Sequence, residues 1–275
     1  MSVPQFALKI GYLPSAAYSG FSRQLHDPTN IFTLVVKALE KARLIQIHEK
    51  ISFASRTDRG VGALSQIISF HSSIIPILPE INSYLPSDIR ALAMVSVPAN
   101  FDPRREAIHR TYSYLLAIND TFDLKKARNV IDIFSGTHDF RNFAKIDRSD
   151  NKSTVKTIKS ITLSRVNDYV VRISISSRSF LWQQVRRMIG HIINVATTDL
   201  SIESTKLLLV NHSIKQKPPS APAEPLILEE IKYEKIQFEL NKKSVNSFRL
   251  NLIKETTKYE ALLALHKLML DYLAL

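Results

Sequence analysis

The sequence of 275 residues contains no cysteine. Disulfide bonds, thiolate nucleophiles and cysteine-ligated zinc sites are therefore excluded. The eight histidines are scattered, and none has the His-Glu-x-x-His spacing of a helical zinc site. We expect a protein that is indifferent to redox conditions, needs no metal and resides in the cytoplasm.

Long hydrophobic runs are missing as well. No apolar stretch reaches the roughly 20 residues that a helix needs to span a bilayer. The first five residues also lack the basic and apolar regions of a signal peptide. Neither Gly-x-x-x-x-Gly-Lys-Ser/Thr nor Gly-x-Gly-x-x-Gly occurs, so we expect no membrane partner and no nucleotide or other cofactor.

Acidic residues are too few to balance the basic ones. The net charge is +12 and the isoelectric point is near 9.8. Residues 101–200 hold 17 basic and 10 acidic side chains (17 − 10 = +7), compared with +3 (9 − 6) for 1–100 and +2 (11 − 9) for 201–275. This excess predicts an anionic partner such as nucleic acid, contacted mainly by the middle third of the chain.

Apolar periodicity predicts the same order of elements twice, strand, helix, strand, strand, helix, strand. The first set comprises 6–13, 30–44, 45–53, 63–71, 78–85 and 88–97. The second comprises 109–118, 124–134, 155–163, 169–176, 179–195 and 225–233. We therefore predict an α+β fold of two pseudo-symmetric ferredoxin-like halves, with antiparallel sheets joined around a central basic cleft.

The predicted boundaries are 1–100 for the N-terminal half, 101–233 for the C-terminal half and 234–275 for a helical extension. Within this extension, residues 256–275 form a highly apolar helix. We expect that helix to dock on its own domain. A contact with a second subunit is the alternative.

An acidic residue occupies a glycine-containing loop between two predicted strands. Asp58 lies between Arg56 and Arg59, and Gly60 and Gly62 follow. The cations favour an ionised carboxylate, and the glycines let the loop present it to a ligand. Such a loop can carry out acid–base or nucleophilic chemistry, whereas an ordinary surface turn with an Asp–Arg pair is the alternative.

Three further stretches supply partners for this acid. Strand alternation places Arg110, Tyr112 and Tyr114 on one face, which would suit base stacking, although core tyrosines are the alternative. Helical spacing separates Arg186 from Arg187, so that one of them can turn inward towards an anion. The third stretch, 136–145, is polar and carries two aromatic residues and two cations.

The chain resembles the TruA-type tRNA pseudouridine synthases, and its motif residues are similar to those of archaeal and eukaryotic members. The resemblance covers roughly residues 6–233 in collinear order. Its motifs are Arg56-Thr57-Asp58-x-Gly60-Val61, Leu85-Pro86-x-Asp88-Ile89, Arg110-x-Tyr112-x-Tyr114, Gly136-x-His138-Asp139-Phe140, Phe180-x-x-x-x-Val185-Arg186-x-x-x-Gly190 and Ala221-Pro222-Ala223-x-Pro225-Leu226. This chain departs from the family pattern at three places. They are Ser55, which precedes the Arg-Thr-Asp, Gly62, and Leu13-Pro14-Ser15 in the first loop.

The resemblance implies a role for each motif residue. Asp58 would be the catalytic carboxylate, acting as a nucleophile at ribose C1′ or as a base. Tyr112 would stack on the flipped base, and Arg186 would pair with Asp58. Arg56 would help to extrude the uridine. The further substrate contacts that we expect are Arg23, Arg59, Arg104, Arg110, Arg141 and Lys145.

The resemblance also implies a homodimer that needs no cofactor. It would bind the elbow and anticodon stem-loop of tRNA and modify uridines at positions 38 to 40. A synthase acting on other RNA positions and a non-catalytic RNA-binding protein of the same fold are the alternatives. A metal-dependent nuclease would need clustered carboxylates or histidines that the sequence lacks.

Overall fold

The computed structural model describes residues 3–24, 26–46, 49–146, 153–211, 213–214 and 217–274. The first part of the chain forms β1 (Gln5–Tyr12), α1 (Ile31–Lys41), β2 (Ser52–Phe53), β3 (Gly62–His71), α2 (Leu78–Ser83) and β4 (Ile89–Val97). The next part forms β5 (His109–Ala117), α3 (Leu124–Phe134), β6 (Gly136–Asp139), a 3-10 turn (Arg141–Phe143), β7 (Val155–Asn167), β8 (Val170–Ser177), α4 (Gln184–Thr197), α5 (Glu203–Val210) and β9 (Leu226–Lys232). The last helix is α6 (Lys242–Leu273).

The strands of the described residues form one sheet in the order β4-β1-β3-β9-β5-β8-β7-β6, with β2 beside β3. Strands β4-β1-β3-β2 repeat the order of β9-β5-β8-β7, and every pair within each set is antiparallel. This is the strand order of a ferredoxin-like unit, so the predicted α+β class with two similar halves is confirmed. The boundaries at residues 100 and 233 stay a prediction.

The two halves meet through a short parallel pairing between β3 and β9. Gly62 lies opposite Ile227, and Ala63 lies opposite Leu228. Gly62 is also the residue at which the loop that carries Asp58 joins β3. The sheet therefore continues across the seam directly beside the candidate site.

Helix α1 shows how local sequence builds the first half. Asn30 caps its N-terminus, because the side-chain oxygen accepts from the backbone N–H groups of Phe32 and Thr33. The apolar side chains at helical spacing, including Val35 and Leu39, are fully buried in the core. A helix is thus present within the predicted range 30–44.

Three predicted elements differ from the structure. The strand expected over 45–53 is reduced to Ser52–Phe53, the only part of that segment described as paired with β3. The helix expected over 179–195 begins at Gln184, because Gln183 has a left-handed backbone (φ 61°) that interrupts it. Strand β6 lies where a polar loop was expected, and α5 was not predicted at all.

Helix α6 begins earlier than expected and docks only at its start. Phe248 is buried against Leu13 and Leu92, and Asn251 Nδ2 donates to the carbonyl of Ser87. The predicted docking of 256–275 on its own domain is wrong, because every residue from 256 to 274 is exposed. No helix in the described ranges is long and apolar enough to cross a membrane.

Candidate active site

The loop that carries Asp58 is braced from the first half of the chain. Phe21 and Thr57 exchange backbone hydrogen bonds of 3.0 and 3.3 Å, and Tyr12 Oη lies 2.8 Å from Thr57 Oγ1. Gly20 has a φ of +96°, and a Cβ there would lie 2.4 Å from the Thr57 carbonyl oxygen. Only glycine permits this close approach, so the glycine of the first loop holds the Asp58 loop in place.

The other end of the loop is fixed to β3 and β5. Gln66 Oε1 accepts from the Ser55 backbone N–H at 3.2 Å, and Gln66 Nε2 donates to the Ser55 carbonyl at 2.6 Å. Ser55 Oγ lies 2.9 Å from Tyr112 Oη. The backbone before Asp58 is therefore anchored to the central strands of both halves.

Asp58 receives a hydrogen bond on each carboxylate oxygen. Arg186 Nη1 donates to Oδ2 at 2.9 Å, and Trp182 Nε1 donates to Oδ1 at 3.1 Å. The Asp58 side chain keeps 22% of its surface exposed and that of Arg186 keeps 18%. The predicted pairing of Arg186 with Asp58 is present, and the acid stays accessible to a ligand.

Arg186 is itself held in place by the loop after α5. Its Nε donates to the Ala221 carbonyl at 2.8 Å, and its own carbonyl accepts from the Ala221 N–H at 2.9 Å. A Cβ on Gly190 would lie 2.1 Å from the Pro219 carbonyl oxygen, so glycine is required for this loop to reach α4. The motif residues Gly190 and Ala221 thus serve to aim the arginine.

The candidate aromatic Tyr112 lies beneath the Asp58 loop. Its ring is 7% exposed and makes an edge contact with Phe180 at a centroid distance of 5.4 Å. Burial raises the pKa of Tyr112, so it is a neutral phenol near pH 7. It can offer a ring or a hydroxyl to a substrate but not a phenolate base.

Arg110, Tyr112 and Tyr114 share one face as predicted, but all three are buried. The guanidinium of Arg110 donates to the carbonyls of Ala54, Arg104 and Arg178. The open aromatic and cationic surface that we expected on β5 is therefore not present. Because β5 is a central strand, its inward side chains are covered.

Three predicted substrate contacts are exposed arginines of the first half, two of them in the Asp58 loop. Arg56 is exposed and makes no hydrogen bond or ion pair with any described residue. Arg59 Nε donates to the Ala16 carbonyl at 2.8 Å, and Arg23 Nη2 donates to the Ile51 carbonyl at 2.7 Å. All three arginines are exposed, and Arg56 and Arg59 belong to the loop itself.

The remaining predicted contacts lie on two other segments. Arg104 is exposed on the turn before β5. Arg141 is exposed next to Asp139, with Nη2 and Oδ2 3.7 Å apart. The Lys145 ammonium lies 4.3 Å from the ring centroid of Trp182. Lys145 therefore lies near Asp58, as expected of the stretch 136–145, and reaches it through Trp182.

Further cations flank these residues. Lys217 Nζ donates to the carbonyls of Arg141 and Ala144, and Arg187 Nη1 donates to the Pro218 carbonyl. Burial, and then the charges of Arg187 and Arg141, lower the pKa of Lys217. The charges of Arg187 and Arg141 beside Lys217 mark a region of positive potential, which an anionic ligand would relieve.

Sequence reasoning missed Trp182, although two signals pointed to it. It is the only tryptophan of the chain, and it stands four residues before Arg186.

Among the described residues no group of three or more acidic or histidine side chains could hold a metal ion. The site therefore offers an accessible carboxylate with two donors, suited to nucleophilic or general-base chemistry.

A family model and two relatives of similar sequence point to the same family. A family model described as tRNA pseudouridine synthase matches residues 130–234. A tRNA pseudouridine synthase A of Thermococcus kodakarensis is 34% identical over 258 residues, covering 92% of this chain and 94% of that protein. The corresponding protein of Methanothermobacter thermautotrophicus is 34% identical over 273 residues, covering 98% and 96%.

A solved structure titled as an archaeal box H/ACA sRNP Nop10-Cbf5 complex aligns with a TM-score of 0.38 and 12% identity. That alignment covers 70% of this chain and 44% of the other. The sequence relatives match at more than 30% identity over nearly their whole length. The chain therefore belongs to the tRNA pseudouridine synthase A family, which is a family of isomerases.

Proposed function

We propose that this chain converts uridine to pseudouridine in the anticodon stem-loop of tRNA, at positions 38 to 40, with Asp58 as the catalytic residue. The observation that carries the proposal is the geometry of the acid. Asp58 is held by Arg186 and Trp182 through separate oxygens, yet remains partly exposed. An ionised carboxylate that is fixed but accessible is what attack on a sugar or proton abstraction requires.

The reaction is an isomerisation and needs no electron donor or acceptor. The bond between uracil N1 and ribose C1′ breaks, and a bond between C5 and C1′ forms. The proton on C5 is lost to solvent, and N1 gains a proton. Asp58 can begin this sequence either by attacking C1′ or by acting as a base that yields a glycal, and both routes use the same carboxylate.

The cations around the site would hold the RNA. Arg56 is exposed beside Asp58 and has no described partner, so it is free to fill the space of an extruded uridine. Arg23, Arg59, Arg104, Arg141 and Lys145 would contact phosphates of the stem-loop and elbow. For Arg110 we propose a structural role, because its guanidinium is buried on three carbonyls. Tyr112 would meet the base after Phe180 or the loop moves, because its ring is covered.

We also propose a homodimer in which α6 packs against a second copy of the chain. The accessible surface is 15996 Å². A compact monomer of 31.2 kDa would expose about 12,000 Å². The excess of about 4,000 Å² exceeds what a standard stable interface buries in total. Much of the exposed apolar surface lies on α6, including Leu262, Leu265, Leu268, Met269 and Tyr272.

With tRNA as substrate, we propose a cytoplasmic location.

Position-resolved mapping of pseudouridine tests the proposed function. Unmodified transcripts of several tRNAs would be incubated with the purified chain, and each uridine would be scored for conversion. We expect pseudouridine at positions 38 to 40 and nowhere else in the same transcripts. Conversion only at other positions would favour a different specificity, and tRNA binding without conversion would favour a non-catalytic RNA-binding protein.

A further inference from the structure

Trp182 holds the oxygen of Asp58 that Arg186 does not. The indole Nε1–H donates to Asp58 Oδ1 at 3.1 Å, and Arg186 Nη1 donates to Oδ2 at 2.9 Å. The two donors stand four residues apart in the sequence. Between them lies Gln183, which has a left-handed backbone (φ 61°) and directly precedes α4. The short segment from Trp182 to Arg186 therefore donates to both carboxylate oxygens of Asp58, which belongs to the other half of the fold.

Lys145 fixes the indole from a second segment. Its Nζ lies 4.3 Å from the ring centroid, and its backbone N–H donates to the Trp182 carbonyl at 2.9 Å. An ammonium over an indole face is attracted by the ring quadrupole. The cation also draws electron density from the ring, which makes the N–H a stronger donor to a carboxylate. The ring is thus held in place although Trp182 is 49% exposed.

We propose that Trp182 is a positioning residue for Asp58, with Lys145 as its support. A carboxylate bound by one arginine nitrogen can still rotate about its Cβ–Cγ bond. Donors on both oxygens fix the plane of the carboxylate and so the direction of its lone pairs, on which reactivity depends. The inference rests on the proposed catalytic role of Asp58.

Steady-state kinetics separate positioning from binding. Trp182→Phe keeps an aromatic face for Lys145 but removes the N–H, and a hydrogen bond to a charged group is lost. We expect kcat to fall about ten- to a hundredfold while KM stays within about threefold. Lys145→Met should lower kcat by a smaller factor, and Lys145→Arg, which keeps the cation over the ring, should restore most of that loss.

Because the chain has a single tryptophan, NMR of ¹⁵N-indole-labelled protein reports this contact without substrate. Asp58→Ala removes the acceptor, so we expect the one Nε1–H resonance to move. The matched control is Asp168→Asn, which removes a negative charge from a side chain that is 92% exposed on the turn between β7 and β8. The control should leave the resonance in place.

The outcomes distinguish this inference from the proposed function. Full kcat in Trp182→Phe, or an indole resonance that does not respond to Asp58→Ala, overturns the positioning role. If Asp58→Asn is inactive while Trp182→Phe is fully active, only the positioning role fails. If both variants are fully active, the catalytic role of Asp58 fails with it.

Discussion

Arg186 Nη1 lies 2.9 Å from Asp58 Oδ2, although the two residues stand 128 positions apart in the sequence. The arginine comes from the first turn of α4 in the second half of the fold, and the acid comes from a loop of the first half. The candidate site is therefore assembled only when both halves have folded against each other. The short parallel pairing of β3 with β9 brings them together beside it.

Arg186→Lys should separate charge from geometry. Arg186 donates to Ala221 through Nε and to Asp58 through Nη1, and lysine lacks the planar fork that places two separate nitrogens on these acceptors. We expect the single-turnover rate of pseudouridine formation to fall at least about a hundredfold, an effect of about 2.7 kcal/mol. The neighbouring Arg187→Lys is the matched control and should lose less than about tenfold. Equal losses in the two variants would contradict the assigned pairing.

Tyr112 should matter through its ring more than through its hydroxyl. Tyr112→Phe loses the contact with Ser55 Oγ and should lower the free energy of unfolding by about 1 kcal/mol, with activity within about fivefold. Tyr112→Leu removes the ring that would meet the base and should lower activity more than about tenfold. Urea unfolding of both variants separates stability from activity. A fully active Tyr112→Leu would remove the ring from the proposal.

His191 should make the protein less stable in mild acid. It is buried beside Phe134 and Phe143, lies 2.9 Å from Thr205 Oγ1, and burial lowers its pKa from 6.5 to about 4. The unfolded chain therefore takes up the proton at a higher pH than the folded chain. Its contribution to stability is complete above pH 6.5 and is lost as the pH falls towards 4.

His191→Gln should remove this dependence while keeping a donor for Thr205. Between pH 7 and 4.5, the wild-type free energy of unfolding should fall by about 2 kcal/mol more than that of the variant. Chemical denaturation at a series of pH values measures both curves. Parallel curves for the two proteins would show that His191 does not carry the effect.

Local sequence was enough to predict the bounds of an element whose own residues determine where it begins and ends. The predicted bounds of α3 are those of the structure, because Asp123 caps the helix and Ala127, Val130, Ile131 and Phe134 are buried at helical spacing. Strand pairing was harder to predict from the local sequence. The apolar pattern over 45–53 resembles a strand, but only Ser52 and Phe53 pair with β3.

The acid and the arginine of the candidate site were predictable from the sequence, whereas Trp182 was not. The motifs located Asp58 and Arg186, whereas the hydrogen bond from Trp182 joins residues 124 positions apart and depends on the left-handed backbone of Gln183. No periodicity encodes such a backbone at a non-glycine residue. Similarly, alternation placed Arg110 on the correct face of β5 but could not reveal that this face is covered.

Removal of the exposed part of α6 should dissociate the proposed dimer. Truncation after Lys254 keeps Phe248 and the docked turns but deletes the apolar segment. We expect light scattering to give the mass of a monomer. Leu265→Glu should act in the same direction, and Lys267→Gln, which also makes the net charge one unit more negative, is the control. A truncated chain that remains dimeric, or a full chain that is monomeric, would contradict the proposal.

The most direct test of the catalytic assignment is tritium release from tRNA labelled at C5 of uridine, measured with Asp58→Asn. This carbon loses its hydrogen when it becomes the glycosidic carbon, so release reports the chemical step. The substitution keeps the size of the side chain and removes its charge. We predict that release is abolished while tRNA affinity changes by less than about tenfold, or 1.4 kcal/mol. Appreciable release by Asp58→Asn would contradict the account.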